Sequence, residues 1–481
     1  MSVRMSENCN RPIGPKFPFW VALGCAVVAL ASLAQNAQGS EALRMPHSVS
    51  KPDNPDQIWT LELALARAME ANAELLAAKL EFERQQGVRL QIRSRLLPNI
   101  TGSASVNERQ RGLVDISPSQ RSEPPSADTA VALYSYDSRV EVRQLVFDGL
   151  SSWNQLARQK LLTSQAYQTL RTTVMKTAST VRQAFDAIQL RTAQLENERR
   201  RVDEFARLVT RTEQKHRAGE VPEFDLLRAQ AEHEGAKADF AEAMRSLGQS
   251  EQMFRRLLQL SNVGGPLRTN GLFALRRFDL PLEQAVVNAR QSRPDLQGLA
   301  LAVEAARKNE RAQLGTYLPK IEAFASYGAR SSYYNSGVKV DGWTVGAVAQ
   351  WNIFDSGGAH GRRITARAER RMAEAKLAET EHQIVSRLHE LYSGLQQARI
   401  AVEAQERSLS LSVRAAGDAR RSYEAGQTGF DQVLQAEIGL RRAQSRYNET
   451  IYNYNSLVAD IEFSVGGQLQ DSIGVPDTWK R

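Results

Sequence analysis

Two hydrophobic periods alternate along this chain. One seam falls at Val174, Ala178, Val181, Phe185, Ile188, Thr192 and Leu195, and a second at Ile384, Leu388, Leu391, Leu395, Ala398 and Val402, both in steps of four and three. Heptad seams of this kind predict helices packed side by side as in coiled coils. The stretches 150–215 and 358–424 contain no proline. Each would run roughly 100 Å at 1.5 Å per residue, too long to fold back on a compact core. Shorter helices are expected at about 60–96, 221–260, 281–316 and 430–464, reached through corners that carry Gly219 and Gly426.

Between the helices the period drops to two. Val140, Val142 and Val146 share one face and Arg139, Glu141 and Arg143 the other. Trp343, Val345, Ala347, Ala349, Trp351 and Ile353 oppose Thr344, Gly346, Gln350 and Asn352 in the same way. Ile100, Gly102, Ala104 and Val106 alternate with small polar residues, and Ile321, Ala323, Ala325 and Tyr327 stand opposite Glu322, Ser326 and Arg330. These are four strands in two hairpins, about 98–148 and 319–355, with polar loops at 107–133 and 331–341. Small and aromatic residues face one way while charges and amides face the other, the division of a membrane barrel with lipid outside and water inside. Arg139, Glu141 and Arg143 are then lumen candidates. Trp343 and Trp351, about 26 Å apart at 3.3 Å per residue, are candidates for a lipid-facing belt.

The chain also repeats itself. Residues 61–100 align without a gap on 282–321, and Leu97-Pro98 matches Leu318-Pro319. Val146-Phe147-Asp148-Gly149 matches Ile353-Phe354-Asp355-Ser356, and Ala218-Gly219 with Phe224-Asp225 matches Ala425-Gly426 with Phe430-Asp431. A first repeat is therefore read at 40–260, a linker at 261–280, a second repeat at 281–465 and a tail at 466–481.

Composition changes this picture in two places. Arg4, Arg11 and Lys16 precede an apolar run from Phe17 to Ala34, the layout of a secretory signal peptide over 1–39 with cleavage after Ala34 or Gly39. Both cysteines, Cys9 and Cys25, leave with it, so no disulfide or thiolate chemistry is expected in the mature chain. The 62 basic residues exceed the 54 acidic by eight; losing Arg4, Arg11, Lys16 and Glu7 leaves +6. An exported chain meets no cytoplasmic nucleic acid, so that surplus reads as solvated helix surface. A mean hydropathy of −0.43 excludes a polytopic helical membrane protein.

Four strands cannot enclose a lumen, and lipid tolerates no open sheet edge, so several protomers must share one barrel. The duplicated hairpins, the long helices and the joints LPNITGSASV, VRQLVFDG, YLPKIEAFASYG and WNIFDSGG resemble those of the TolC family of outer-membrane channel proteins. The resemblance implies an α+β membrane protein, internally duplicated: a long coiled-coil α-helical barrel plus a four-stranded contribution to a shared transmembrane β-barrel. It also implies a homotrimer in the cell outer membrane with a periplasmic helical extension. The partners would be a periplasmic adaptor, an inner-membrane transporter of ABC type and outer-membrane lipid. The Phe-Asp-Gly joint favours the type I protein secretion branch over drug efflux.

The family constricts its periplasmic entrance at the helix corners, and Asp225 and Tyr423 stand at matching positions here. Where the family carries arginine after the glycine, this chain has Gln427-Thr428-Gly429, and where it carries DVLDA this chain has QVLQA at 432–436. Gln432 and Gln435, or Asp431, are the candidates to replace the acidic ring. His382 and His389 read as solvated, and no nucleophile, metal or phosphate-binding motif appears, so no cofactor and no enzyme activity are expected. Two rival readings remain: a small-molecule efflux channel and, from another class, a periplasmic coiled-coil adaptor.

Overall fold

The computed structural model describes residues 58–108, 134–260, 265–270, 273–332 and 339–466. The expected signal segment, both cysteines, residues 40–57, most of both hairpin loops and the tail beyond Gly466 lie outside them. In chain order the elements are β1 (Ile58–Trp59), α1 (Leu61–Ala71), α2 (Ala73–Ser94), β2 (Asn99–Glu108), β3 (Tyr134–Phe147), α3 (Ser151–Arg217) and α4 (Glu223–Leu258). Then follow β4 (Arg268–Thr269), α5 (Leu282–Ser292), α6 (Pro294–Leu314), β5 (Lys320–Ser332), β6 (Lys339–Gln350), α7 (Gly358–Glu424) and α8 (Phe430–Val465).

Helix lengths recur. The long helices α3 and α7 have 67 residues each, and their return helices α4 and α8 have 36 each. Both pairs are displaced by the same 207 residues, 151 to 358 and 223 to 430. The Phe224-Asp225 match to Phe430-Asp431 is one residue short of that displacement, so these phenylalanines occupy different helical positions.

The stretches expected as single helices at about 60–96 and 281–316 are each broken. At the first break Asn72 leaves the helix (φ −66°, ψ 126°), and its side chain accepts from the backbone N–H of Glu74 at 2.9 Å and of Leu75 at 3.2 Å. That is an N-cap satisfying donors with no intrahelical partner. At the second break Pro294 occupies the first helical position and holds Arg293 in extended backbone (φ −66°, ψ 121°). Two different devices thus make the same bend at matched positions.

Two apolar clusters organise the body beneath the sheet. Ala64, Leu65 and Ala68 of α1 pack on Ala178, Val181, Phe185 and Ile188 of α3 and on Phe254 and Leu258 of α4. Ala285 and Ala289 of α5 pack in the same manner on Leu388, Leu391 and Leu395 of α7 and on Val458, Ile461 and Val465 of α8. Val181, Ile188 and Leu388 are fully buried, each stabilising by about 1.5–3 kcal/mol. The first heptad seam stops at Ile188, because Thr192 is exposed.

The segment before α5 straps the two halves together. Arg276 donates twice to Asp186 of α3, at 2.8 and 2.9 Å, and Asn455 of α8 accepts from the Arg276 backbone N–H at 3.1 Å. Tyr392 donates to the Leu280 carbonyl at 2.9 Å. Beside this strap β1 pairs with β4 in parallel, and Trp59 meets Phe254 edge-on with ring centroids 6.0 Å apart.

The other four strands form one antiparallel sheet in the order β2-β3-β5-β6. The β3–β5 ladder joins the two hairpins, and β2 and β6 are its edges. Asp148 and Asp355 cap the helices entered from this sheet, accepting from Ser152 N–H at 2.8 Å and Ala359 N–H at 2.6 Å. Gly149 (φ 66°) sits against Gly315; a Cβ on Gly149 would lie 2.6 Å from the Gly315 Cα, so no larger residue fits.

Candidate functional site

Two regions hold the candidate residues: the faces of the sheet and the far corners of the long helices.

Residues directly opposed in an antiparallel ladder share a face. The register sets Arg139 between Ser103 and Gly328, Glu141 between Thr101 and Ser326, and Arg143 between Asn99 and Phe324. Arg139, Glu141 and Arg143 therefore lie on one polar face, as expected, and Glu141 bridges both arginines. Lys320 and Glu322 add a pair at 2.6 Å. A cleft of about 690 Å³ opens over this face, lined by Arg139, Glu141, Arg143 and Glu322 together with Asp137 and Thr344. The opposite face carries Ile100, Ala104, Val106, Val140, Val142, Ala325, Tyr327, Trp343, Val345 and Ala347. Tyr327 and Trp343 stand directly across from each other.

Two details differ from simple alternation. A register shift between Leu145 and Phe147 ends the regular ladder, so Val146 is not a third member of the Val140–Val142 face. The last strand stops at Gln350, which leaves Trp351 and Ile353 in the joint to α7 rather than on a strand. Trp351 is held there by its indole N–H, which donates to the Tyr317 carbonyl at 3.1 Å.

At the far corners the α3/α4 and α7/α8 hairpins meet in a third apolar cluster. Tyr423, Phe430, Val433 and Leu434 pack with Phe205, Ala229 and Ala236. Tyr423 is buried; its hydroxyl lies 3.2 Å from the Thr212 hydroxyl and its ring meets Phe430 at 6.3 Å and 70°. Lys215 sits 4.2 Å from the centre of that ring and donates to the Tyr423 carbonyl at 2.7 Å. Asp431, expected only as a lining residue, is ion-paired with Arg228 of the other hairpin, and Arg211 pairs with Glu424 in the same sense. Gln432 and Gln435 are exposed, on the side of α8 away from the buried Val433 and Leu434. Asp225 is half-buried in the first turn of α4, where its carboxylate complements the positive end of the helix.

Sequence reading missed the charged cluster above these corners. Arg201 meets Glu198 at 3.1 Å and Asp239 at 2.6 Å, while Arg441 meets the same Glu198 at 3.2 Å and Asp239 at 2.8 Å. This closed ring of alternating charges ties α3, α4 and α8 and lines a cavity of about 510 Å³. Its members lie up to 243 positions apart. Nearby, Arg420 has its pKa raised by a hydrogen bond to Glu437 and, after the opposing effect of burial, by that carboxylate's charge. Nearer the sheet, burial pushes the Asp186 carboxyl above its ordinary range against the pull of Arg276.

Among the described residues no group of three or more His, Cys, Asp or Glu side chains is placed to hold a metal ion, and no helix is long and apolar enough to cross a membrane.

The family described as outer membrane efflux protein matches over residues 64–259 and 285–467. The alkaline protease secretion protein AprF of Pseudomonas aeruginosa is 25% identical over 418 residues, covering 83% of this chain and 82% of that protein. The CmeC outer membrane channel of Campylobacter jejuni superposes with a TM-score of 0.75 at 16% identity, covering 87% of this chain and 88% of that one. The outer membrane protein VceC of Vibrio cholerae superposes with a TM-score of 0.71 at 15% identity, covering 85% and 96%. These two likenesses establish the fold.

Proposed function

We propose a function from one premise: the chain belongs to the outer membrane efflux protein family. It is an outer-membrane protein of the TolC-like fold, and we infer that it is the exit duct of a tripartite export system, conducting substrate passively. The observation that carries this reading is the four-stranded sheet, polar on one face and apolar on the other, whose outer strands β2 and β6 find no further strand among the described residues. Lipid leaves no backbone edge unsatisfied, so the edges require other copies of the chain. Three copies close a twelve-stranded barrel, and the long helices continue it into the periplasm. The recurring helix lengths support an internally duplicated protomer in which each half contributes one hairpin.

In this duct Arg139, Glu141 and Arg143 face the water-filled lumen, and Trp343 and Trp351 belong to the lipid-facing belt. Tyr423, Asp225, Asp431, Gln432 and Gln435 form the gate at the periplasmic mouth, which a periplasmic adaptor and an inner-membrane ABC transporter engage. No catalytic step is required, because the transporter supplies the energy.

The cargo we propose is protein. AprF, which aligns across most of both chains, is named for the secretion of a protease. Small-molecule efflux is the second reading, favoured by the family's own description. Deleting the gene separates them. Protein secretion predicts that one or more polypeptides vanish from the culture fluid, read by mass spectrometry, while susceptibility to dyes and antibiotics stays unchanged. An unaltered set of secreted proteins with increased susceptibility would replace it by efflux.

A further inference from the structure

On the reading that the sheet spans the outer membrane, we propose that the sheet-side ends of α2 and α7 form a docking collar for anionic phospholipid headgroups. On α7, Arg363, Arg367 and Arg371 recur every four residues, all exposed. Among the described residues none of the three has a carboxylate within ion-pair distance. The nearby acids serve their neighbours instead: Arg362 pairs with Asp355 at 3.1 Å, and Arg370 with Glu310 at 2.8 Å and Glu374 at 2.7 Å. On α2, Arg89 and Arg93 repeat the same spacing and Arg95 follows directly, again without an ion pair among the described residues. Like charges four apart on a helix repel, so such columns weaken the isolated helix and call for an external anion.

Their place in the fold identifies that anion. The α7 arginines stand about 8, 14 and 20 Å from the start of the helix at 1.5 Å per residue, and Arg93 and Arg95 flank the end of α2. Between them and the strands lies a rim of exposed apolar side chains: Leu97, Trp351, Ile353 (80% exposed) and Phe354 (85%). An apolar and aromatic rim followed by unpaired arginines is the order met on leaving a bilayer, acyl chains first and phosphates next. Guanidinium forks pair with phosphate oxygens through two parallel hydrogen bonds. The collar is therefore continuous with the membrane-spanning surface and complementary in charge to the periplasmic leaflet.

The test uses the full-length oligomer in nanodiscs of equal dimyristoyl-phosphatidylglycerol and dimyristoyl-phosphatidylcholine. After transfer to detergent, native mass spectrometry reads the ratio of the two lipids retained. Each arginine near a surface adds roughly a fivefold preference for anionic lipid. Arg367→Gln is expected to lower the retained ratio about fivefold and the Arg363→Gln/Arg367→Gln/Arg371→Gln variant further, while Arg414→Gln, exposed on α7 far from the sheet, leaves it unchanged. Inorganic phosphate at equal concentration is expected not to displace the lipid. An unchanged ratio in the triple variant overturns the collar, as does displacement by inorganic phosphate. Dissociation of the triple variant in phosphatidylcholine alone also overturns it, because the arginines then meet carboxylates of a neighbouring copy. Failure of the unsubstituted chain to enter nanodiscs sinks the membrane reading itself; normal entry with an unchanged ratio sinks only the collar.

Discussion

The two hairpin corners have nearly the same backbone and opposite interiors. Gly219 and Gly426 take φ of 74° and 73°. Gly219 N–H donates to His216 O at 2.9 Å and Gly426 N–H to Tyr423 O at 3.1 Å; Glu220 and Gln427 N–H each reach back at 2.9 Å to Lys215 O and Ser422 O. Around that shared turn the second corner is filled by Tyr423 and Phe430, whereas at the first His216 turns to the Val221 carbonyl at 3.1 Å and Phe224 is 66% exposed. The first corner supplies charges instead: Arg211, Lys215 and Arg228 all reach across to the second. A glycine in the left-handed region sets the turn. Which corner acquires a core depends on whether an aromatic side chain falls on the inward face one residue earlier or later.

The largest test of this contrast is truncation of the two phenylalanines. Phe430→Ala removes a fully packed ring and is expected to cost about 3–5 kcal/mol of local stability, read as lost hydrogen-exchange protection over the first turns of α8. Phe224→Ala is expected to stay within about 0.5 kcal/mol. Equal losses would mean that the corners are packed alike in the assembly.

Next in size come the glycines. Ala at either position must adopt φ near +70°, a cost of roughly 1–2 kcal/mol, and the same measurement should show equal losses for Gly219→Ala and Gly426→Ala. A difference beyond about 1 kcal/mol would separate the two turns that the hydrogen bonds equate.

The smallest effect belongs to the charges between corners. Arg228 pairs with Asp431 at the surface, so Arg228→Gln or Asp431→Asn should cost about 0.2–1 kcal/mol and less at high salt. Despite that small cost, the gate proposal predicts higher single-channel conductance in planar bilayers for these variants, for Asp225→Ala and for Tyr423→Ala. Conductance equal to that of the unsubstituted protein would leave the corners structural and remove them from the gate.

Particular residues show where sequence reading succeeded and stopped. Arg139, Glu141 and Arg143 could be assigned one face because alternation within a regular strand is local. Val146 and Trp351 could not, because a bulge and a strand end depend on which partner strand is present and in what register. The breaks at Asn72 and Pro294 were both read through as single helices: asparagine caps only where the chain bends, and a proline fits a first helical position only once the preceding residue has left the helix. The match of Phe224 with Phe430 looked sound as a motif and failed as geometry, because one residue turns a helix by about 100°.

By itself the sequence determined the helical and strand periods, the joints at which strands run into helices, and the order of elements that recurs in both halves. All of these follow from backbone sterics and from the burial of nearby side chains. Only the tertiary structure decided that β3 pairs with β5, that Arg441 closes a charged ring with Glu198 and Asp239, and that the α7/α8 corner takes the buried aromatics. Those outcomes depend on the register between segments nearly two hundred residues or more apart. Local pattern carries no record of register, because the same amphipathic face satisfies several partners until packing selects one.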